Sequence, residues 1–235
     1  MKMMSKILLS SFVALILMQY ADAQLLPPNS SSTKGAPNKS TSQKMDATNS
    51  FIEGVDYKVL PSIQPTESKG KVEVTEFFWY ACPHCNDLEP DIQAWAKKQK
   101  NDVVFKRIPI AFREDFIPHS QIYYALEAMG KEKEFSPKVF KAIHVDRKQL
   151  LKEDEIMGWA SSVGLDVTAF SAAYKSFSVI TKAKTANAVG SAYRVDGVPT
   201  IAVQGKYETS PSIAGTKQRA LDTLDFLVSK ARTEK

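Results

Sequence analysis

The chain has 235 residues, 43% hydrophobic and 24% charged, with a formal net charge of +5. That composition suits one soluble globular domain, long enough to bury a full core without disulfide support. No dense Lys/Arg block interleaved with aromatics appears, so the mild positive charge reads as a solvated surface and no nucleic-acid partner is expected. Two cysteines are too few for a secreted scaffold held together by disulfides.

Lys2 and Lys6 flank the start of an apolar run from Ile7 to Met18, and Ala21-Asp22-Ala23 sets small residues where a signal peptidase reads. The pattern is that of a secretory signal over residues 1–23, cleaved before Gln24. The run is short for a membrane span, no cysteine follows it to carry a lipid, and no second long apolar segment exists. A soluble exported protein is therefore expected. Loss of two lysines and one aspartate with the signal leaves a charge of +4. Residues 24–50 are rich in Ser, Thr, Asn, Pro and Lys and read as a disordered linker, with order beginning near Phe51.

Val72 to Tyr80 is dense in β-branched and aromatic residues and predicts a strand. After Pro83 the pattern turns helical, with Leu88, Ile92, Trp95 and Ala96 on one face, and Pro90 should kink that helix. Val103 to Ile108 is a second strand, so this block is β-α-β and opens a parallel sheet. From about Ile117 to Val195 strand signals all but vanish. Ser136-Pro137 looks like an N-cap followed by proline in the first helical position, ahead of Val139, Phe140 and Ile143. Ile156, Trp159, Ala160 and Val163 form another apolar face stopped by Gly164, and Asp166 caps a helix with Phe170, Ala173 and Tyr174 inward. A small-residue helix follows over roughly Lys182 to Tyr193. Val198 to Val203, a Gly205-Lys206 turn and Tyr207 to Thr209 predict a hairpin, and Leu221, Leu224, Val228 and Ala231 a closing helix. The fold class is α/β: one sheet domain over 51–235, interrupted by a helical insertion at about 115–182.

The two cysteines, Cys82 and Cys85, lie in Cys82-Pro83-His84-Cys85 where the strand hands over to the helix. Cys82 then falls at the N-cap, facing unpaired N–H groups and the positive end of the helix dipole, both of which favour thiolate. His84 adds an N–H donor or a positive charge. Cys85 lies on the inner side of the first turn. The geometry makes Cys82 the attackable sulfur and Cys85 the resolving one. Each unit of thiolate pKa below ambient pH stabilises the reduced form by about 1.4 kcal/mol, about 30 mV for a two-electron couple. His84 points to the oxidising side.

Other uses of the pair fit less well. A structural zinc site needs about four ligands, and the chain offers Cys82, Cys85, His84, His119 and His144. His84 is trapped inside the short loop and nothing places the remote histidines nearby, so no metal is expected. A structural disulfide would close a tiny loop and stabilise little. His119 and His144 read as surface or satisfied core residues, and Trp79, Trp95 and Trp159 as core or groove. Glu76, six residues before Cys82 in an apolar strand, is a buried proton carrier, a solvent-facing residue, or one half of a pair with Arg107.

The strand, Cys82-Pro83-His84-Cys85, helix unit, the interrupted sheet and the late Val198-Pro199 resemble the thioredoxin fold, and in detail the DsbA family of thiol:disulfide interchange proteins. Glu76-Phe77-Phe78, Gly164-Leu165-Asp166, Tyr174-Lys175-Ser176-Phe177 and Arg194 to Pro199 carry the likeness, which runs from about Phe51 to Ala231. Pro-His between the cysteines is the DsbA type; thioredoxins carry Gly-Pro. The long linker, Pro90, Pro109 and the helices of the insertion depart from the family. The resemblance implies a depressed cysteine pKa and an oxidising potential, for which this family is the known example, so neither magnitude comes from these residues. It further implies a cis Val198-Pro199 bond beside Cys82, presenting backbone to an extended substrate peptide, and Glu76 as the family's buried acid. The expected protein is a monomeric periplasmic dithiol oxidase with no cofactor beyond its Cys82–Cys85 disulfide. It would act on reduced, unfolded exported proteins and be reoxidised by a DsbB-type membrane quinone reductase. An isomerase or reductase of the same fold, or a non-enzymatic peptide-binding module or chaperone, is the alternative.

Overall fold

The computed structural model describes residues 50–234. The expected signal, and the expected linker up to residue 49, lie outside the described residues. The chain enters through a two-residue strand, Lys58–Val59 (β1), and then Val72–Phe78 (β2), in which every residue is buried. Helix α1 (Pro83–Lys98) and strand β3 (Val103–Pro109) complete the expected parallel β-α-β unit, with Glu76 beside Arg107 in the register.

A 3-10 turn at Glu114–Phe116 leads to five helices: α2 (Ile117–Ala128), α3 (Glu132–His144), α4 (Glu153–Ser162), α5 (Val167–Tyr174) and α6 (Phe177–Ala192). The boundary expected near residue 182 falls inside α6, which runs unbroken. The hairpin follows as β4 (Thr200–Val203) and β5 (Tyr207–Thr209), then the short α7 (Pro211–Ala214) and the closing α8 (Lys217–Thr233). The sheet order is β1-β5-β4-β2-β3, with β2 antiparallel to β4 and parallel to β3.

β2 is buried on both faces because helices cover both. Val72 and Val74 pack with Leu88, Ile92 and Trp95 of α1 and with Leu224, Leu227 and Val228 of α8. Phe77 turns to the other face, against Tyr193, Ile110 and Ala202. Phe78 and Tyr80 instead reach the large core of the helical segment, with Tyr123, Phe140, Trp159 and Phe170. Cys82 and Cys85 belong to that same cluster. The dithiol thus sits where the sheet end meets the inserted helices.

Several local expectations differ from the structure. Pro90, which is exposed, lies inside α1 and does not end it. The proline removes one N–H on the solvent side, while Leu88, Ile92 and Trp95 hold the helix to the sheet across it. Ser136 is not an N-cap: α3 starts a turn earlier, after Gly130 with φ +64°, and carries Glu132 and Glu134 at its positive end. Ser136 is buried and bonds Tyr80 instead. α6 begins at Phe177 because Ser176 accepts from Val179 N. β4 begins two residues after Val198, since Pro199 has no N–H for the ladder. Gly164 (φ +80°) and the Asp166 cap on Ala169 N stand where expected.

Candidate active site

Cys82 is the N-cap of α1, with extended φ/ψ of −79° and 118°, and Pro83 opens the helix. The backbone turns tightly into it, Cys82 N donating to Trp79 O at 3.0 Å. Both cysteines are free thiols. Cys82 keeps 7% of its surface and Cys85 none, so the outer sulfur is less open than the sequence suggests yet is the only one with a path to solvent. Across from it, the Val198–Pro199 bond is cis and Cys82 Sγ lies 3.3 Å from Val198 O.

The two sulfurs are driven apart. The hydrogen bond from the Cys85 thiol is the largest influence on Cys82; against the cost of burial, this bond, the N–H groups of Cys85 and His84, and the His84 charge bring its pKa down to about 6. Burial, and then the neighbouring Cys82 sulfur, push the Cys85 thiol far up. The sequence reading assigned the effect to the helix end and His84. The larger part comes from Cys85, one turn along, and His84 itself is exposed.

Glu76 is fully buried. Its Oε2 accepts from Arg107 Nε at 2.7 Å, while Oε1 has no hydrogen-bond partner. Arg107 is shared: Nη2 and Nη1 donate to Glu89 at 2.6 and 3.3 Å, and the guanidinium lies 4.2 Å over the Phe78 ring. One cation therefore serves two buried carboxylates. Burial raises the Glu76 pKa; Arg107 opposes this only in part, and Glu89 adds to it. The Glu76 charge in turn helps to raise Cys85. Pairing with Arg107 and a raised pKa are thus both true of Glu76. Sequence reasoning missed Glu89. The available signal was its place four residues after Cys85, on the α1 face that carries Leu88 and Ile92.

His119 and His144 are satisfied, as expected, and by residues close to Cys82. Trp79 Nε1 donates to His119 Nδ1 at 3.0 Å, and His144 Nε2 lies 2.8 Å from Tyr80 O. Among the described residues no group of three or more His, Cys, Asp or Glu side chains is placed to hold a metal ion. A cleft of about 460 Å³ opens beside the cis bond, lined by Val198, Pro199 and Thr200 with Lys58, Glu208 and Ser212.

A strand-end dithiol on a helix N-terminus, with one sulfur inclined to ionise and the other held as thiol, is the site of a thiol:disulfide oxidoreductase. Known proteins agree. The DSBA-like thioredoxin domain matches residues 73–225. The thiol:disulfide interchange protein DsbA of Burkholderia cepacia is 44% identical over 183 residues, 77% of this chain and 86% of the relative. The DsbA of Pseudomonas aeruginosa is 37% identical over 182 residues, again 77% and 86%. The crystal structure of Pseudomonas aeruginosa DsbA superposes with a TM-score of 0.75 over 78% of this chain and 96% of that one, at 37% identity. The oxidoreductase DsbA from Xylella fastidiosa gives 0.70 over 78% and 98%, at 30% identity. The chain belongs to the DsbA family of thiol:disulfide oxidoreductases, enzymes that act on protein substrates.

Proposed function

We propose that the protein is an oxidase: it donates its Cys82–Cys85 disulfide to reduced, unfolded exported proteins. The observation that carries the direction is the unequal pair, Cys82 brought down to about 6 and Cys85 pushed up. A substrate thiolate attacks Cys82 Sγ, the Cys82–Cys85 bond breaks, and Cys85 leaves with the electron pair. A second substrate thiolate attacks the substrate sulfur of the mixed disulfide, forming the substrate disulfide and releasing Cys82 as thiolate. Two electrons pass to the enzyme, whose reduced form is stabilised by that thiolate.

Cys85 leaves as the more basic thiolate and must take up a proton. Glu76 supplies it: the carboxyl is buried with one oxygen unpartnered, has a raised pKa, and acts electrostatically on Cys85. Pro83 and His84 set the helix start and its donors. Val198 and Pro199 present backbone to an extended substrate along the adjoining cleft. The signal pattern of residues 1–23 and the DsbA likeness support a periplasmic location and reoxidation by a DsbB-type membrane quinone reductase. Residues 51–235 form the catalytic unit, with a helical insertion that begins near residue 115 and runs to the end of α6 at Ala192.

Equilibration with glutathione tests the direction. An oxidising potential is expected, and Cys82→Ser should abolish disulfide transfer to a reduced unfolded protein. A strongly reducing potential would make the protein a reductase or isomerase. Undiminished transfer by Cys82→Ser would overturn the mechanism.

A further inference from the structure

The chain has three histidines. One lies between the cysteines; the other two come from the inserted helices, and both end on the residues that lead β2 into Cys82. His119 in α2 faces Gln149 O with Nε2 at 2.8 Å. A carbonyl only accepts, so Nε2 carries the hydrogen and Nδ1 is the bare acceptor that takes the Trp79 indole N–H at 3.0 Å. His144, in the last turn of α3, has Nε2 2.8 Å from Tyr80 O, and by the same reasoning it is the donor. The Tyr80 hydroxyl lies 2.7 Å from Ser136 Oγ of the same helix.

Tyr80 is fully buried and lies beyond the end of the ladder, which closes at Phe78 beside Pro109. The sheet offers its carbonyl no partner, and His144 supplies one. Between that carbonyl and the nucleophile lie only Ala81 and the turn closed by Cys82 N to Trp79 O. The course of this short link bears on where Cys82 Sγ sits relative to the helix donors and Val198 O. The imidazole ring is itself held, stacked on Phe140 at 6.1 Å.

We propose that His144 is a positioning residue for disulfide exchange: its Nε2–H fixes the Tyr80–Ala81 peptide and so holds Cys82 Sγ over the first turn of α1. It acts through Cys82 and touches no substrate. In this way the inserted helices take part in the chemistry of a sulfur carried by the sheet domain. The inference rests on Cys82 being the exchanging sulfur.

The test compares wild type, His144→Ala, His144→Gln and Ser136→Ala. Glutamine sets an N–H at nearly the reach of Nε2, and Ser136→Ala loosens Tyr80 without touching its carbonyl. For each, the thiolate absorbance of the reduced protein is titrated, the glutathione equilibrium is measured, and thermal melting is followed. With alanine the thiolate step should rise by up to about one pH unit, which takes the thiolate at pH 7 from about nine-tenths to about one-half, and the equilibrium should shift toward the reducing side. Glutamine should restore both, and Ser136→Ala should lower only the melting temperature. If alanine lowers the melting temperature with thiolate step and potential unchanged, or if glutamine rescues nothing, His144 is merely structural. Should His144→Ala not fold, nitrogen NMR of the wild-type imidazole decides: the hydrogen is expected on Nε2, and finding it on Nδ1 overturns the proposal. Failure of the Cys82 reading looks different, because wild type itself would then show no low thiolate step that Cys82→Ser removes.

Discussion

Lowering the pH on the reduced protein tests the electrostatics of the site directly. The Cys82 pKa falls from an ordinary 9.0 to about 6, chiefly through the Cys85 hydrogen bond. At pH 7 about nine-tenths of Cys82 is then thiolate, against about one-hundredth for the ordinary thiol. Because the folded pKa is depressed, the stabilisation is fully present above pH 9 and is lost as pH falls through 6. Between those limits the unfolded chain binds the extra proton, so stability rises by about 1.4 kcal/mol per pH unit. The full contribution above pH 9 is about 4 kcal/mol. At pH 7 about 1.4 kcal/mol of it is present, equivalent to about 30 mV toward a more oxidising couple. Urea unfolding of reduced wild type and of reduced Cys82→Ser from pH 5 to 8, beside the thiolate absorbance, measures both ends of the argument. The wild-type advantage should grow with pH by the stated slope, and the absorbance step should centre near 6. A step near 9, or two stability curves that run parallel across the range, would refute the reasoning.

Glu76→Gln removes a buried carboxyl that titrates high. A raised folded pKa stabilises the native state below the unfolded value of 4.5, and this is lost as pH rises through the folded pKa. The glutamine variant should therefore gain stability relative to wild type as pH climbs from about 4.5 toward neutrality, while single-turnover exchange slows because Cys85 loses its proton source. Urea melts and stopped-flow exchange across that range check both, and equal exchange rates would remove Glu76 from the mechanism. At Gly205, with φ +61°, an added Cβ would meet the Gln64 carbonyl oxygen at 2.2 Å. Gly205→Ala should cost about 3 kcal/mol or more from overpacking plus backbone strain, read as a fall in the urea midpoint. A variant as stable as wild type would show that the hairpin turn tolerates a side chain.

Much of the fold was legible along the chain because its signals are local. The β-branched run of β2, the apolar face of α1, the Asp166 cap and the Gly205 turn each follow from a few neighbouring residues. α2 was not anticipated, since Ile122, Tyr123, Tyr124, Ala125 and Leu126 are all buried and leave no one-sided stripe to read. β1 is two residues long and exists only through its pairing with β5. Ser136-Pro137 misled because a capping residue and a buried hydroxyl look alike until the Tyr80 partner is in place.

The spacing of Cys82 and Cys85, the proline that opens α1 and the strand that precedes them were determined by sequence alone, because a dithiol at a helix N-terminus needs only contiguous residues. The tertiary structure decided what those thiols feel. Arg107 reaches Glu76 from 31 residues away and divides itself with Glu89. His119 and His144 arrive from the inserted helices to hold Trp79 and Tyr80. Val198 O meets Cys82 across 116 residues. Burial and long-range contacts set how strongly a charge or hydrogen bond acts, and neither can be read from neighbours along the chain.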